Sequence, residues 1–274
     1  MKNIKSIDTQ INITETEPSL EKLPKTRFEL IDLDREAELF YFFMGRGRFS
    51  SVFDRSYPEL RAIQKECQNK NECIKRFREF LENLRTSEQE QILEAKNKIE
   101  SEWGKVGLEF LKTLSEHFET NWPEDKEIIG FVTAMPTYPG FLDDYQFCVG
   151  YHGDTARAIE TSAHEVLHFL WFKKWEEVFP EIPRNEYETP HLVWRLSEIM
   201  DPIILQCNPR IKELINPKRW GYDSFKKIKI GEVSMTEFFK RIYLDSVAVG
   251  DDFATTLKKL WEEAKRHERE IDKF

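Results

Sequence analysis

Residues 164–168 read His-Glu-Val-Leu-His, and this pentapeptide places a strong condition on the local backbone. Side chains four residues apart lie one above the other on an α-helix, so a helix brings both imidazoles within reach of one metal ion. Glu165 then lies about 100° around the helix from His164, near the coordination position that the ligands leave open. There it can accept a proton from water that the metal activates. The pattern predicts a helix that carries a metal site and a general base.

The residues around the pentapeptide fit a helix with two different faces, which we expect to span about 154–178. His164 and His168 lie nearly opposite the apolar stripe and share their face with Trp171 and Trp175. The two tryptophans fit either the core or a cleft. The apolar stripe consists of Ile159, Ala163, Val166, Leu167 and Leu170. This arrangement predicts a helix between a core and a cleft.

A catalytic zinc ion normally has three protein ligands, so the two histidines need a third. The downstream candidates are Glu188, His191, Glu198 and Asp201. We favour Glu198, because it points away from the apolar stripe of a helix expected over 189–206. His191 is the alternative, and Asp201 is the less favoured one. Asp201 could instead accept a hydrogen bond from the free nitrogen of a zinc-bound histidine. The apolar stripe of that helix consists of Val193, Leu196, Met200 and Ile203.

With these residues the sequence resembles the zincin metallopeptidases of the gluzincin type, which bind zinc through two histidines of HExxH and a later glutamate. The resemblance implies that His164, His168 and Glu198 bind Zn²⁺ and that Glu165 is the catalytic base in peptide-bond hydrolysis. It covers about 87–206. The gap from His168 to Glu198 is longer than is usual in that family.

The resemblance also implies an order of elements and two further features. A backing helix at about 87–117 and strands at 127–134 and 145–151 would precede the motif helix. The strand at 145–151 would be the edge strand that pairs with a peptide substrate. A downstream tyrosine or histidine would stabilise the tetrahedral intermediate, and the candidates are His191, Tyr222 and Tyr243.

The whole chain of 274 residues is expected to be an α+β protein that is mostly helical, with a zincin-like domain. That domain would contain a small sheet, a backing helix, the HExxH helix and a third-ligand helix. We divide the sequence into a flexible tail (1–25), an N-terminal helical region (26–85) and the zincin-like metallopeptidase domain with a helical C-terminal part (86–274).

Charge and hydropathy narrow the classes of partner. The net charge is -9 and the pI about 5.4, which disfavours binding to nucleic acid. No apolar stretch is long enough to cross a bilayer, and the first 25 residues lack the apolar segment of a signal peptide, so we expect a cytoplasmic protein without a membrane partner. The four cysteines form no CxxC pair and are expected to be small buried residues: Cys67, Cys73, Cys148 and Cys207.

The sequence therefore predicts a zinc-dependent peptidase that acts on a peptide or protein substrate. A zinc-binding, zincin-like domain without peptidase activity, with a regulatory or protein-interaction role, is the alternative. A helical interaction protein in which HExxH occurs by chance is the third hypothesis. The substrate and the oligomeric state do not follow from the sequence.

Overall fold

A four-stranded mixed sheet lies on one side of the motif helix in the computed structural model, which describes residues 23–274 except the side chains of residues 47 and 48. The tail predicted at 1–25 lies outside the described residues, apart from its last three positions. The strands are β1 (Thr26–Leu30), β2 (Ile128–Thr133), β3 (Gly140–Phe141) and β4 (Gln146–Gly150). Their order is β1-β2-β4-β3, with β3 antiparallel to β4 and the other pairs parallel.

The sheet confirms two predicted strands and corrects the prediction of its edge. β2 and β4 match the runs at 127–134 and 145–151. β4 is not the edge strand, because β3 folds back against it, and Cys148 N donates a hydrogen bond to Pro139 O at 2.9 Å. The sequence gives no periodic signal for β3, since a two-residue strand is too short to show alternation. β1 was not predicted either.

Five helices lie between β1 and β2, and the last of them is the expected backing helix. They are α1 (Leu33–Met44), α2 (Gly47–Ser56), α3 (Pro58–Glu66), α4 (Lys70–Ser87) and α5 (Gln89–Phe118). α5 has 30 residues and is about 45 Å long, and it packs against β1 and the motif helix. Phe28 of β1 contacts Trp103 of α5 and Phe147 of β4 edge to face. Region 26–85 therefore shares a core with the rest, and the domain boundary near residue 85 stays a prediction.

The two helices expected to carry the site are α6 (Thr155–Val178) and α7 (Leu192–Cys207). Asp154 caps α6, and its Oδ1 accepts a hydrogen bond from Arg157 N at 2.7 Å. α7 begins later than the sequence suggested, with His191 as its N-cap, because Thr189 and Pro190 belong to the preceding connection. The apolar stripes predicted for both helices are buried.

The C-terminal part is mostly helical, as expected. It contains α8 (Pro209–Ile215), α9 (Asp223–Lys227), a small hairpin of β5 (Lys229–Ile230) and β6 (Val233–Ser234), α10 (Met235–Ala248), α11 (Phe253–Arg266) and α12 (Glu268–Ile271). The fold is thus α+β and mainly helical, with a small sheet. None of the helices described here combines the length and the apolar character needed to cross a membrane.

The cysteines differ in part from the expectation of four small buried residues. Cys67 and Cys73 form a disulfide between the end of α3 and the start of α4, with Cα atoms 5.4 Å apart. The two cysteines lie six residues apart, a spacing that differs from CxxC, and no disulfide was expected in a cytoplasmic protein. Cys148 is buried in the sheet and Cys207 is half-buried at the end of α7, both as free thiols.

Candidate metal centre

Three side chains from α6 and α7 meet at one point and form a candidate metal site. Nε2 of His164 lies 3.2 Å from Nε2 of His168. On α7, Oε2 of Glu198 lies 3.7 Å from Nε2 of His164, and Oε1 of Glu198 lies 3.7 Å from Nε2 of His168. Among the described residues, these three form the group of histidine, cysteine and acidic side chains that could hold a metal, with ligand atoms within 4.8 Å of one another. The group contains neither Glu188 nor His191.

The spacing of the ligand atoms suits a small tetrahedral ion. At Zn–N distances of about 2.0–2.1 Å, two ligands of a tetrahedral site lie about 3.3 Å apart. The observed separation of 3.2 Å between the imidazole nitrogens agrees with this value. Two nitrogens and a carboxylate oxygen form a donor set that zinc accepts readily and that leaves a fourth position for water or substrate.

Burial keeps both imidazoles in the neutral form that binds a metal. It lowers the pKa of His168 to about 4. It also lowers the pKa of His164 well below its ordinary value, and the charges of His168 and Arg219 lower it further. A neutral imidazole keeps a lone pair on one ring nitrogen, which is the form a metal requires.

Asp201 is placed beside a histidine and away from the ligand atoms of the cluster. One turn beyond Glu198 on α7, it is fully buried, and its Oδ2 contacts Nδ1 of His164. A proton on Nδ1 directed to this carboxylate leaves the lone pair of His164 on Nε2, where the other two ligands converge. This contact favours the second of the two roles considered for Asp201, and that role stays a prediction.

Glu165 lies at the edge of the cluster, in reach of the same space. Its Oε1 is 3.9 Å from Nε2 of His164. Its Oε2 lies so close to Gly140 of β3 that a Cβ atom there would approach it to 2.7 Å, so a larger residue would require the end of the Glu165 side chain to shift. Burial raises the pKa of Glu165 well above its ordinary value, and the charge of Glu198 raises it further. A divalent cation between the two carboxylates would offset this repulsion.

The tryptophans on α6 belong to the core, which is the first of the two possibilities considered for them, and they do not line a cleft. Trp171 and Trp175 are fully buried, and they pack against Phe253 and Trp261 of α11, respectively. α6 is buried on nearly all sides, so the face that carries the histidines is narrower than the spacing of apolar residues in the sequence indicated. The aromatic ring that stacks on the site is Phe172, one turn beyond His168.

The downstream residues considered for the tetrahedral intermediate lie in different places. Tyr243 is buried, and its hydroxyl lies 3.4 Å from Nε2 of His117. His191 is the N-cap of α7. Tyr222 is partly exposed and packs against Phe225 and Phe274.

Two residues close to the centre belong to no recognisable motif in the sequence. Gly140 lies against Glu165, and Arg219 reaches α6 one turn before His164, where Glu160 and Thr161 bind its guanidinium. Gly140 directly follows a proline in an irregular segment, and Arg219 lies in a connection without periodicity, so only the tertiary structure brings them to the site. Comparison with protein-family models, curated proteins and solved structures finds no match to this chain.

Proposed function

We propose that this protein is a zinc-dependent metallopeptidase that cleaves peptide bonds in a peptide or protein substrate. His164, His168 and Glu198 bind the ion, and Glu165 is the general base. One observation carries the proposal. Two imidazole nitrogens and a carboxylate converge within 4.8 Å at the junction of two helices, with a second carboxylate 3.9 Å from His164 Nε2.

The chain supplies three candidate ligands and a candidate base for such a hydrolysis. Bound zinc would polarise the scissile carbonyl and make water more acidic. Glu165 accepts the proton of the attacking water and then transfers it to the leaving amine. Gly140 leaves the Glu165 carboxylate the space it occupies, and Asp201 holds His164 in the orientation and tautomer that a ligand needs. Support for the reaction comes from this geometry and from the resemblance of HExxH plus glutamate to gluzincins.

The test combines metal content with cleavage. We expect about one zinc ion per chain after reconstitution, measured by elemental analysis. Mass spectrometry of a broad peptide library should show cleavage that a chelator abolishes and added zinc restores. Glu165→Gln should keep the zinc and lose cleavage about 10²–10⁴-fold, since it removes general base catalysis. Glu176→Gln, an exposed position on the same helix, is the matched control and should cleave normally.

The outcomes separate the hypotheses. Full activity of Glu165→Gln would refute the assigned base. Zinc binding without cleavage of any peptide would favour a non-proteolytic zinc-binding domain. A protein that binds no metal would leave HExxH as a chance pattern in a helical interaction protein.

A further inference from the structure

The connection between α8 and α9 lies across both helices of the metal centre and is held by two buried side chains. Glu160 of α6 accepts hydrogen bonds at its Oε1 from the backbone amides of Lys218 and Arg219, at 3.0 and 2.8 Å. Gln206 of α7 donates to the carbonyls of Pro217 and Arg219, at 2.8 and 3.1 Å. This loop is therefore fixed to the same two helices that supply the ligands.

A glycine lets the loop lie close to α7 beside the site. Gly221 has φ +70°, a conformation that side chains rarely adopt. A Cβ atom there would come within 3.0 Å of Pro202, which directly follows Asp201. The loop thus packs on α7 next to the residue that contacts His164.

The loop presents the guanidinium of Arg219 at the metal centre. Its Nε donates to Glu160 Oε2 at 3.2 Å, and its Nη2 donates to Thr161 Oγ1 at 3.1 Å. Thr161 lies three residues before His164 on α6, so their side chains are neighbours on one helix face. The cation is therefore held about one helical turn from a metal ligand.

Two cations act on this end of the centre, in a chain with net charge -9. Arg157 lies one turn before Thr161 on α6 and is exposed. Burial raises the pKa of Tyr138, and the charges of Arg157 and Arg219 both oppose that rise. Both guanidinium groups are thus close enough to this phenol to influence it.

The Arg219 side chain forms an ion pair with the buried Glu160 and remains partly exposed. The backbone amides of Lys218 and Arg219 already occupy Glu160 Oε1, and Gln206 holds the other side of the loop. The Arg219 side chain keeps 46% of its surface exposed, while the Glu160 side chain keeps 11%. An arginine whose guanidinium is oriented by protein contacts, on a side chain that remains partly exposed, is suited to bind a carboxylate through the donors that Glu160 and Thr161 leave free.

We propose that Arg219 forms an anionic subsite beside the metal centre and binds a carboxylate of the substrate, from either an acidic side chain or a free C-terminus. The inference rests on the proposed function, since it names the substrate class of the same site. The peptidase then prefers peptides that carry a carboxylate close to the cleaved bond.

The first experiment measures binding without any cleavage. The zinc-loaded full-length protein is titrated with pairs of alkyl hydroxamates, which bind zinc, carrying either a terminal carboxylate or the matching amide on spacers of graded length. We expect the wild type to bind the best carboxylate probe about tenfold or more tightly than its amide. The melting temperature of Arg219→Gln should fall, because the buried Glu160 loses its cation, while zinc content stays unchanged and the preference for the carboxylate probe is lost. Arg210→Gln, which replaces a half-exposed arginine paired with α5, should keep it.

The second experiment identifies the source of the carboxylate. Peptide pairs that differ only as Asp against Asn or Glu against Gln test the side chain, and pairs with a free or amidated C-terminus test the chain end. Rates of cleavage are measured by mass spectrometry for the wild type and for Arg219→Gln. For one type of pair, the wild type should cleave the peptide with the carboxylate faster than its neutral partner. Arg219→Gln should cleave the two peptides of that pair at equal rates.

The results distinguish the two proposals. Equal binding of carboxylate and amide probes by the wild type overturns the anionic subsite, and so does a preference that survives in Arg219→Gln. A preference that depends on Arg219, in a protein that cleaves no peptide, keeps the subsite and refutes the peptidase. Failure to bind zinc refutes both.

Discussion

The Oδ2 atom of Asp201 on α7 contacts Nδ1 of His164 on α6, on the side of the imidazole ring that faces away from His168 and Glu198. α7 therefore contributes twice to the candidate centre, through Glu198, the proposed third ligand, and through Asp201, which contacts a histidine of the other helix. Residues that orient metal-bound histidines commonly change metal affinity 10–100-fold when they are mutated.

We expect Asp201→Asn to weaken zinc binding by about 10–100-fold. The amide keeps the shape of the carboxylate but loses the charge that favours a proton on Nδ1 of His164. Competition with a chromogenic chelator measures the affinity. Asp245→Asn, at an exposed position of α10, is the control and should bind zinc as the wild type does. Unchanged affinity in Asp201→Asn would show that the contact does not support the ligand.

The close approach of Gly140 to Glu165 gives a second prediction. In Gly140→Ala, the new Cβ atom would lie 2.7 Å from Oε2 of Glu165, so the carboxylate must move. We expect peptide cleavage to fall at least about tenfold while zinc affinity stays within about twofold, because the ligands are not displaced. Steady-state kinetics and chelator competition measure the two quantities.

Gly104→Ala is the matched control for that substitution. Gly104 lies within α5, and an added Cβ atom there meets nothing within 4 Å. Alanine should raise the free energy of unfolding by about 0.5–1 kcal/mol, since glycine is unfavourable inside a helix, and should leave cleavage unchanged. A Gly140→Ala protein as active as Gly104→Ala would contradict the role assigned to this contact.

The three candidate ligands could be selected from the sequence because the pattern that suggests them is local. The spacing of His164 and His168 places both on one side of any helix, and the periodicity of 189–206 placed Glu198 opposite an apolar stripe. The structure brings these three residues together. Asp201 followed from the same helical spacing, one turn beyond Glu198.

The features that depend on tertiary contacts could not be predicted in this way. β3 has two residues, and it blocks the edge of β4 only because the chain reverses at residues 142–145. The burial of Trp171 and Trp175 depends on α11, whose contacting residues lie more than 80 positions further along the chain. The approach of Arg219 to α6 depends on an irregular loop, which carries no periodic signal.

Glu36 gives a prediction about stability away from the centre. Its carboxylate is fully buried and contacts Arg85 Nη2 at 2.6 Å and Ala134 N at 2.8 Å, so it joins α1, α4 and the end of β2. In Arg85→Met the buried carboxylate loses its cation. We expect the free energy of unfolding to fall by about 3 kcal/mol in urea denaturation.

The double variant Glu36→Gln/Arg85→Met tests the cause of that loss. If the loss comes from an unpaired buried charge, replacing the carboxylate by a neutral amide should recover part of the stability. The changes in unfolding free energy caused by Glu36→Gln and by Arg85→Met are also measured separately. If these two changes simply add in the double variant, the two groups act independently.

His117 near the end of α5 predicts how stability changes with pH. Its half-buried ring contacts Phe118 and Phe253, and Nε2 lies 3.4 Å from the Tyr243 hydroxyl. Burial lowers the pKa of His117 from 6.5 to about 4. Between these two values the unfolded chain binds a proton that the folded protein does not bind, so stability falls as the pH falls. Above pH 6.5 both states hold neutral imidazole, and the effect vanishes.

We expect His117→Gln to lose this contribution. Each pKa unit corresponds to about 1.4 kcal/mol, so the full shift is worth at most about 3 kcal/mol, and we expect about 2 kcal/mol because the ring keeps some contact with solvent. Urea unfolding at pH 7 and at pH 4.5, with a chelator present, measures the wild type and the variant. The chelator removes metal binding, and comparison of the two proteins cancels the titration of His164 and His168. Between pH 7 and pH 4.5, the free energy of unfolding of the wild type should fall by about 2 kcal/mol more than that of His117→Gln. Equal changes in the two proteins would show that burial does not alter the titration of His117.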